Sequence, residues 1–289
     1  MLIEMMEFLV RGILLGAIYG LLAFPVSLLF ATTDSVDLGV GAYAVLAAAI
    51  AMLLGGSFGI LLGLCGAVLA SLLAGLLSAR INAGGRGGAR NDPLVVVLAT
   101  FGFAIILESF VLTFFGKDPM VRQAFETSWQ WAGIRINPQA AINVGTALFL
   151  MLLLYLWLYR SAWGRDMRAC AANALAAALA GIPVRHIALM TYVVGGLLAG
   201  IAGVLILYTT GMSYSAGLHL TIAGFGAAAL FGLHSPLRGF VGGVVIGTVQ
   251  ALSAGYLPSG WASGMPMLFT LLVLISGRVN VAGVVGGRA

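Results

Sequence analysis

Long hydrophobic runs separated by short polar breaks make up most of this chain. About 20 apolar residues in a helix suffice to cross the hydrocarbon core of a bilayer. Helices are the expected form because backbone groups inside lipid must satisfy their own hydrogen bonds, and the alternating pattern of a membrane β-barrel does not occur. The pattern predicts an all-α bundle of about nine spans, the second, seventh and ninth of them short, over residues 8–30, 37–54, 58–79, 93–115, 141–159, 187–208, 217–233, 239–257 and 265–277.

Composition supports lipid as the solvent of this chain. Of 289 residues, 61% are hydrophobic and only 8% are charged, whereas soluble domains carry about 25% charged residues. We expect one transmembrane domain over residues 1–289. Its acidic start, with Glu4 and Glu7 before the first run, predicts a retained first helix rather than a signal peptide.

The net charge of +5 indicates orientation in a membrane rather than nucleic-acid binding, because arginines concentrate on the cytoplasmic side of membrane proteins. An outer N-terminus and a cytoplasmic C-terminus place four of the 14 basic residues outside, namely Arg11, Lys117, Arg122 and Arg135. The other ten then lie inside: Arg80, Arg86, Arg90, Arg160, Arg165, Arg168, Arg185, Arg238, Arg278 and Arg288.

Glycines recur along one face of several predicted helices. One stripe runs through Gly12, Gly16 and Gly20, and similar stripes occupy residues 196–203 and 239–247. Small residues let membrane helices approach closely, so the stripes indicate tight packing. The alternative is that some of these faces line a path for a small polar solute.

The two halves of the chain share short segments. Residues 20–23 and 196–199 both read Gly-Leu-Leu-Ala, residues 39–42 resemble residues 224–227, and a proline opens both the fourth and the ninth span. Matching the first four spans to the last four gives an offset of five spans. Because this offset is odd, matching helices cross the membrane in opposite directions. The pattern therefore predicts two inverted halves, with a solute path at their interface.

Few polar side chains lie inside the spans. Glu108 is either a functional acid or an interface-facing or hydrogen-bonded carboxylate, and Gln250 is placed to bond two helices together. Asp37 or Ser35 is expected to cap the second helix, whose N-terminal end could also meet a solute. Together with the glycines, these positions give the solute-path candidates Gly16, Gly20, Asp37, Gly39, Gly41, Glu108, Gly224, Gly226 and Gln250.

The loop over residues 164–185 is predicted to lie in the cytoplasm. Strong helix formers over residues 165–180 predict one short helix, which Gly181 ends and Pro183 prevents from continuing. This helix is either an amphipathic helix resting on lipid or a docking helix whose alanine face fits a groove on a partner.

The segments 168–173, 177–184, 195–204 and 16–23 together resemble the permease family of branched-chain amino acid ABC importers, whose relatives carry sugars, urea and nucleosides. The resemblance implies a fold like that of the vitamin B12 importers, a second permease chain, two ATPase subunits, an extracytoplasmic solute-binding protein and an inner-membrane location. It also implies that the loop couples to the ATPase through Arg165, Arg168, Asn173, Ala177, Gly181 and Ile182.

Two departures leave the solute open. Asp37-Leu-Gly-Val-Gly41 stands where the family's amino acid permeases usually have Asn-x-Ala-x-Gly, and Val279 stands where a proline usually follows the arginine. The first departure is closer to the sugar branch. From the resemblance we expect a branched-chain or other amino acid as the solute, with a sugar, urea or a nucleoside as the alternative.

No catalytic motif occurs in the sequence. The chain has no phosphate-binding loop, its single lysine is Lys117, and no cluster of histidine and cysteine has the spacing of metal ligands. We therefore expect no enzyme activity, metal or cofactor in this chain, and ATP only on separate subunits. An ion-coupled transporter would need more membrane acids than Glu108, and a scaffold subunit would need no solute path.

Overall fold

The computed structural model describes residues 2–33, 35–84, 93–122, 129–131, 134–136, 138–231, 233, 236–258 and 264–275. Arg86, Arg90, Arg278 and Arg288 lie outside the described residues. The first helices are α1 (Leu2–Thr33), α2 (Val40–Leu54), α3 (Gly56–Gly84), α4 (Pro93–Phe115) and α5 (Pro138–Arg160). They are followed by α6 (Ala162–Ala172), α7 (Ala174–Leu179), α8 (Val184–Leu207), α9 (Ala216–Leu230), α10 (Pro236–Tyr256) and α11 (Met265–Ile275).

One short hairpin interrupts the helical pattern between α4 and α5. Strand β1 (Trp129–Trp131) pairs antiparallel with β2 (Ile134–Ile136). The sequence pattern predicted a loop here without strands. Apart from this hairpin and an isolated antiparallel bridge between Met120 and Met212, the regular secondary structure of the described residues is helical.

Six of the described helices are long and apolar enough to cross a membrane, namely α1, α3, α4, α5, α8 and α10. They coincide with the first, third, fourth, fifth, sixth and eighth predicted spans. The predicted short spans coincide with α2, α9 and α11. Fifteen residues of α2 or α9 rise only about 22 Å, against a hydrocarbon core about 30 Å thick.

The short helix α2 lies at the centre of the bundle, between α3, α8 and α9. Eleven of its 15 residues are buried, and most of these are alanines. Neighbouring glycines approach its backbone directly: a Cβ atom on Gly203 or Gly63 would collide with the backbone of Ala44 or Ala47. The small residues of α2 therefore allow three helices to surround it at close range.

The first and third glycine stripes face each other across the contact between α1 and α10. A Cβ atom on Gly16 would meet the backbone of Val244, and one on Gly20 would meet the ring of Phe240. From the other side, Gly243 and Gly247 press against the backbone of α1. The second stripe packs in the same way against α3 and α2. The packing interpretation of the stripes is thus what the structure shows.

Packing partners repeat between the halves when α1, α2, α3 and α4 are matched to α8, α9, α10 and α11. Helix α1 packs on α10 as α8 packs on α3, and α2 packs on α3 as α9 packs on α10. Helices α2 and α9 begin 176 positions apart (216 less 40) and end 176 apart (230 less 54). The predicted match of Gly39 to Gly224 is therefore out of register, and the counterpart of Gly41 is Gly217.

Candidate functional site

The segment that leads into α2 is built around the buried carboxylate of Asp37. Its Oδ1 atom accepts the Gly39 amide at 2.7 Å, and its Oδ2 atom accepts the Tyr43 hydroxyl at 3.0 Å. Asp37 is only 1% exposed. The predicted cap is displaced, because the carboxylate binds the amide just ahead of the helix rather than one of the helix's own free amides. It fixes the direction in which α2 starts.

Thr221 of α9, rather than Asp37, accepts a hydrogen bond from one of the free amides at the start of α2, that of Gly41. The Gly41 amide donates to Thr221 Oγ1 at 2.8 Å, while that hydroxyl lies 3.1 Å from the carbonyl oxygens of both Leu38 and Gly217. A Cβ atom on Gly41 would collide with the Gly217 carbonyl group. Only glycine fits at this position, and the N-terminal ends of α2 and α9 meet there.

Helix α4 contacts the start of both short helices. Its Glu108 Oε1 atom accepts the Leu218 amide at 3.3 Å, and its Thr100 Oγ1 atom accepts the Leu38 amide at 3.3 Å. Leu218 belongs to the first turn of α9, where the helix dipole favours a negative charge. Of the two interpretations of Glu108, the structure shows the hydrogen-bonded carboxylate.

Seven of the nine solute-path candidates are buried in contacts within the chain, and Glu108 and Gln250 are half-buried. Gly224 packs on Leu22 of α1, and Gly226 packs on Thr270 of α11. Gln250 accepts the Tyr19 hydroxyl at 2.6 Å, which confirms the predicted bond between two helices. A role of these positions in solute passage stays a prediction.

A second buried polar chain, which the sequence pattern did not single out, joins α5 to the end of α8. The Gln139 side-chain amide donates to Asn143 Oδ1 at 3.0 Å, and Asn143 donates to Thr209 Oγ1 at 2.6 Å. Two amides four residues apart near the start of an apolar helix were the available signal, since they share one face.

The prediction of one continuous helix over residues 165–180 is wrong. The segment forms two helices, α6 and α7, because Asn173 adopts an extended backbone conformation with φ −163° and ψ 104°. The Asn173 side chain accepts the Ala176 amide at 3.0 Å and so caps α7. Ser161 caps α6 in the same way, accepting the Gly164 amide at 2.9 Å.

The predicted end of this segment at Gly181 is confirmed. Gly181 has φ +86°, a left-handed conformation that glycine adopts without steric cost. Its amide donates to the Ala178 carbonyl, and the Ile182 amide donates to the Ala177 carbonyl, both at 3.0 Å. These two bonds form a Schellman motif, which closes α7 and fixes its geometry.

The alanines of this loop do not all face the same way, and most of those in α7 are exposed. Ala177 is 5% exposed and packs in a small core with Met167, Cys170 and Ile187. Ala174, Ala176 and Ala178 of α7 are exposed, and the large apolar side chains exposed beside them are Leu175, at 72% exposure, and Leu179, at 83%. Arg165, Arg168, Asn173 and Gly181 are exposed, and Ile182 is half-buried.

Arg168 leans towards α5, where its guanidinium lies 4.7 Å from the centre of the Tyr159 ring. Among the described residues, no group of three or more His, Cys, Asp or Glu side chains could hold a metal ion. The structure therefore offers two separate candidate features, namely the junction of α2 with α9 and the exposed α6–α7 segment.

Residues 8–276 match the family described as the permease component of the branched-chain amino acid transport system. The chain belongs to this family. This confirms the resemblance that the loop and the glycine-rich segments indicated. The members of this family are transport permeases rather than enzymes, and the chain is a multi-pass membrane protein of this kind.

Individual relatives are distant but match along the chain. The high-affinity branched-chain amino acid permease LivH of Escherichia coli K12 is 27% identical over 94% of both chains. BraD of Pseudomonas aeruginosa, a permease of the same description, is 27% identical over 68% of this chain and 66% of its own. The autoinducer 2 permease LsrD of E. coli SMS-3-5 is 26% identical over 90% of this chain and 83% of its own.

A likeness to a solved structure supports the helical architecture. PsaBC from Streptococcus pneumoniae, in complex with Fab, superposes with a TM-score of 0.51 and 17% identity over 96% of both chains. At this identity, the likeness concerns the fold alone.

Proposed function

We propose that this chain is a transmembrane subunit of an ABC importer that carries a branched-chain or other small amino acid. The observation that carries the proposal is the α6–α7 segment, a capped and exposed pair of helices outside the long apolar helices of a family permease. Its partners are a second permease chain, two ATPase subunits and an extracytoplasmic solute-binding protein. The nine spans form two inverted halves, as in the vitamin B12 importers, with the N-terminus outside.

The contact with the ATPase is made by the outer face of α6 and α7. Leu175 and Leu179 are four residues apart on α7 and form an apolar ridge of the kind that fits a groove on a partner. Arg165, Asn173 and Gly181 lie exposed in the same segment. Ala177 and Ile182 pack beneath this surface. A movement of α7 is therefore transmitted to α6 and to the ends of α1, α5 and α8, which supply the rest of the small core around Ala177.

The solute path runs beside the junction of α2 with α9. In the described conformation the junction is closed, because Asp37, Gly39 and Gly41 are buried. A relative movement of α4, α2 and α9 would open it, since these helices share the hydrogen bonds of Thr100, Glu108 and Thr221. Glu108 and Gln250, the half-buried candidates, are the first of these positions that a solute would reach.

An uptake assay with the complete transporter tests the proposal. The chain is co-expressed with the proposed ATPase, partner permease and binding protein and reconstituted in proteoliposomes. Labelled leucine uptake is then measured with and without ATP. We expect uptake only with ATP and binding protein. Uptake without ATP that an ionophore abolishes would contradict the proposal and support an ion-coupled transporter.

The identity of the solute is tested by competition in the same assay. Excess unlabelled leucine, isoleucine or valine is expected to suppress uptake, while sugars, urea and nucleosides are not. The Asp37-Leu-Gly-Val-Gly41 segment favours the sugar branch as the second candidate, and LsrD, an autoinducer 2 permease, shows that relatives of this chain also carry solutes other than amino acids. Suppression by a sugar alone would therefore support the importer role but contradict an amino acid as the solute.

A further inference from the structure

A cleft of about 170 Å³ opens where the end of α1 and the start of α10 face the end of α5 and the helix α6. Apolar side chains form most of its wall, and a single charged side chain, that of Arg168, completes it. The lining residues that matter below are Leu28, Leu158, Leu237, Ala171, Tyr159 and Arg168.

The surroundings of the cleft have the character of a membrane surface. The last two turns of α5 expose Tyr155 and Tyr159, whose ring centres are 4.7 Å apart, and Trp163 at the start of α6 is 45% exposed. Leucines 152, 153 and 156 of α5 are exposed just before this aromatic group. Exposed leucines followed by tyrosine and tryptophan mark the boundary between the hydrocarbon core and the headgroups.

The charge at the cleft is positive, because Arg168 is the charged residue of its lining. Arg168 makes no ion pair with a carboxylate in the part of the chain that the structure describes, where the ion pair found is Arg11 with Glu7. Stacking on Tyr159 occupies one face of the guanidinium and leaves its N–H edge available, and that edge matches phosphate oxygens. Arg160, Arg165 and Arg238 are exposed on the neighbouring helix ends.

We propose that this cleft binds an anionic phospholipid. The phosphate contacts the N–H edge of Arg168, and the upper part of an acyl chain lies against Leu28, Leu158 and Leu237. Surrounding arginines repel the cationic headgroup of a zwitterionic lipid and attract an anionic one, as basic pockets between membrane helices do. The lipid would connect α6 to the ends of α1, α5 and α10.

Native mass spectrometry of the purified chain with equimolar phosphatidylglycerol and phosphatidylcholine tests the site. We expect several-fold preferential retention of phosphatidylglycerol, and a fall to the phosphatidylcholine level in Arg168→Gln. The matched control is Arg80→Gln, an equal loss of charge at the end of α3 away from the cleft, which should retain phosphatidylglycerol like the parent chain. Equal retention of phosphatidylglycerol by Arg168→Gln and the parent chain would overturn the site.

Two further measurements separate the parts of the proposal. Ala171→Leu fills the cleft without changing its charge and is expected to reduce phosphatidylglycerol retention. Unreduced retention would show that the lipid does not enter the cleft, contrary to the proposal.

Inorganic phosphate at millimolar concentration should not displace the lipid, and displacement would identify a free anion site instead. Thermal unfolding without added lipid, unchanged in each variant, shows that the fold is intact.

Discussion

Gly41, the second residue of α2, lies against the carbonyl group of Gly217, the second residue of α9. The two residues hold equivalent positions in the two halves of the chain, 176 positions apart (217 less 41). The N-terminal ends of two short helices therefore meet inside the bundle. Thr221, Thr100 and Glu108 join them by hydrogen bonds.

Replacing Gly41 with alanine should destabilise the protein. The added Cβ atom would overlap the Gly217 carbonyl group, and overpacking of this kind costs about 1–3 kcal/mol. The measurement is thermal unfolding in detergent. Gly102→Ala is the matched control, because a Cβ atom on this glycine of α4 meets nothing within 4 Å. Equal effects of the two substitutions would contradict the close contact of α2 with α9.

Removing the Glu108 carboxylate should loosen the start of α9. In Glu108→Leu the Leu218 amide loses its acceptor, and a negative charge near a helix N-terminus contributes about 0.3–1 kcal/mol. Hydrogen exchange over residues 216–220 is expected to rise, with other helices unchanged.

Glu108→Gln keeps an oxygen acceptor and should restore much of the protection. Thr113→Val is the control on the same helix, since its hydroxyl donates to the Ser109 carbonyl of α4 itself. If Glu108→Leu leaves exchange over residues 216–220 unchanged, the carboxylate does not hold α9.

Introducing a charge on the exposed ridge of α7 should prevent assembly with the ATPase. Leu179 is 83% exposed, so Leu179→Asp leaves the chain folded but places a carboxylate against an apolar groove. Removing a hot-spot anchor costs about 2 kcal/mol or more, which corresponds to about thirtyfold weaker binding or more. Co-purification with a tagged ATPase subunit measures the effect.

The control for this variant is Leu153→Asn, a polar substitution at an exposed position of α5 away from the loop. It should leave ATPase co-purification unchanged. Retention of the ATPase by Leu179→Asp would show that α7 does not make the contact.

Cys170 should react slowly with maleimides. It is 3% exposed, and burial, followed by the nearby Asp166, raises the pKa of its thiol. The thiolate is the reactive form, so the rate near neutral pH should be far below that of a free thiol and rise only at pH values above the ordinary thiol pKa. Ala172→Cys in a Cys170→Ser background supplies an exposed comparison in the same helix. Equal rates at pH 7 would show that α6 is not docked as described.

The long helices were predictable because each carries enough apolar residues by itself. The bounds of α4 agree with the predicted span over 93–115, since Pro93 starts it and Gly116, with φ +86°, ends it. The break at Asn173 was not predictable from helix propensity, because an asparagine at this position can either continue one helix or cap the next. Contacts of Met167, Cys170 and Ala177 with the bundle stabilise the second alternative.

The candidate site was found only in part. Asp37 and Glu108 stand out in the sequence as rare acids in apolar surroundings, and both lie at the junction of α2 with α9. Thr221 and Thr100 give no comparable signal, because a threonine in a membrane helix usually bonds to its own backbone. That these two reach Gly41 and Leu38 depends on how three helices cross.

The sequence by itself determined the solvent of this protein, its long helices and its family, because apolar run lengths and short motifs are local properties of the chain. The tertiary structure decided which small residues touch and which acids hold a helix end. It also decided which side of α7 faces outward. The physical reason is that each of these depends on distances between segments far apart in sequence, and only the packed bundle fixes those distances.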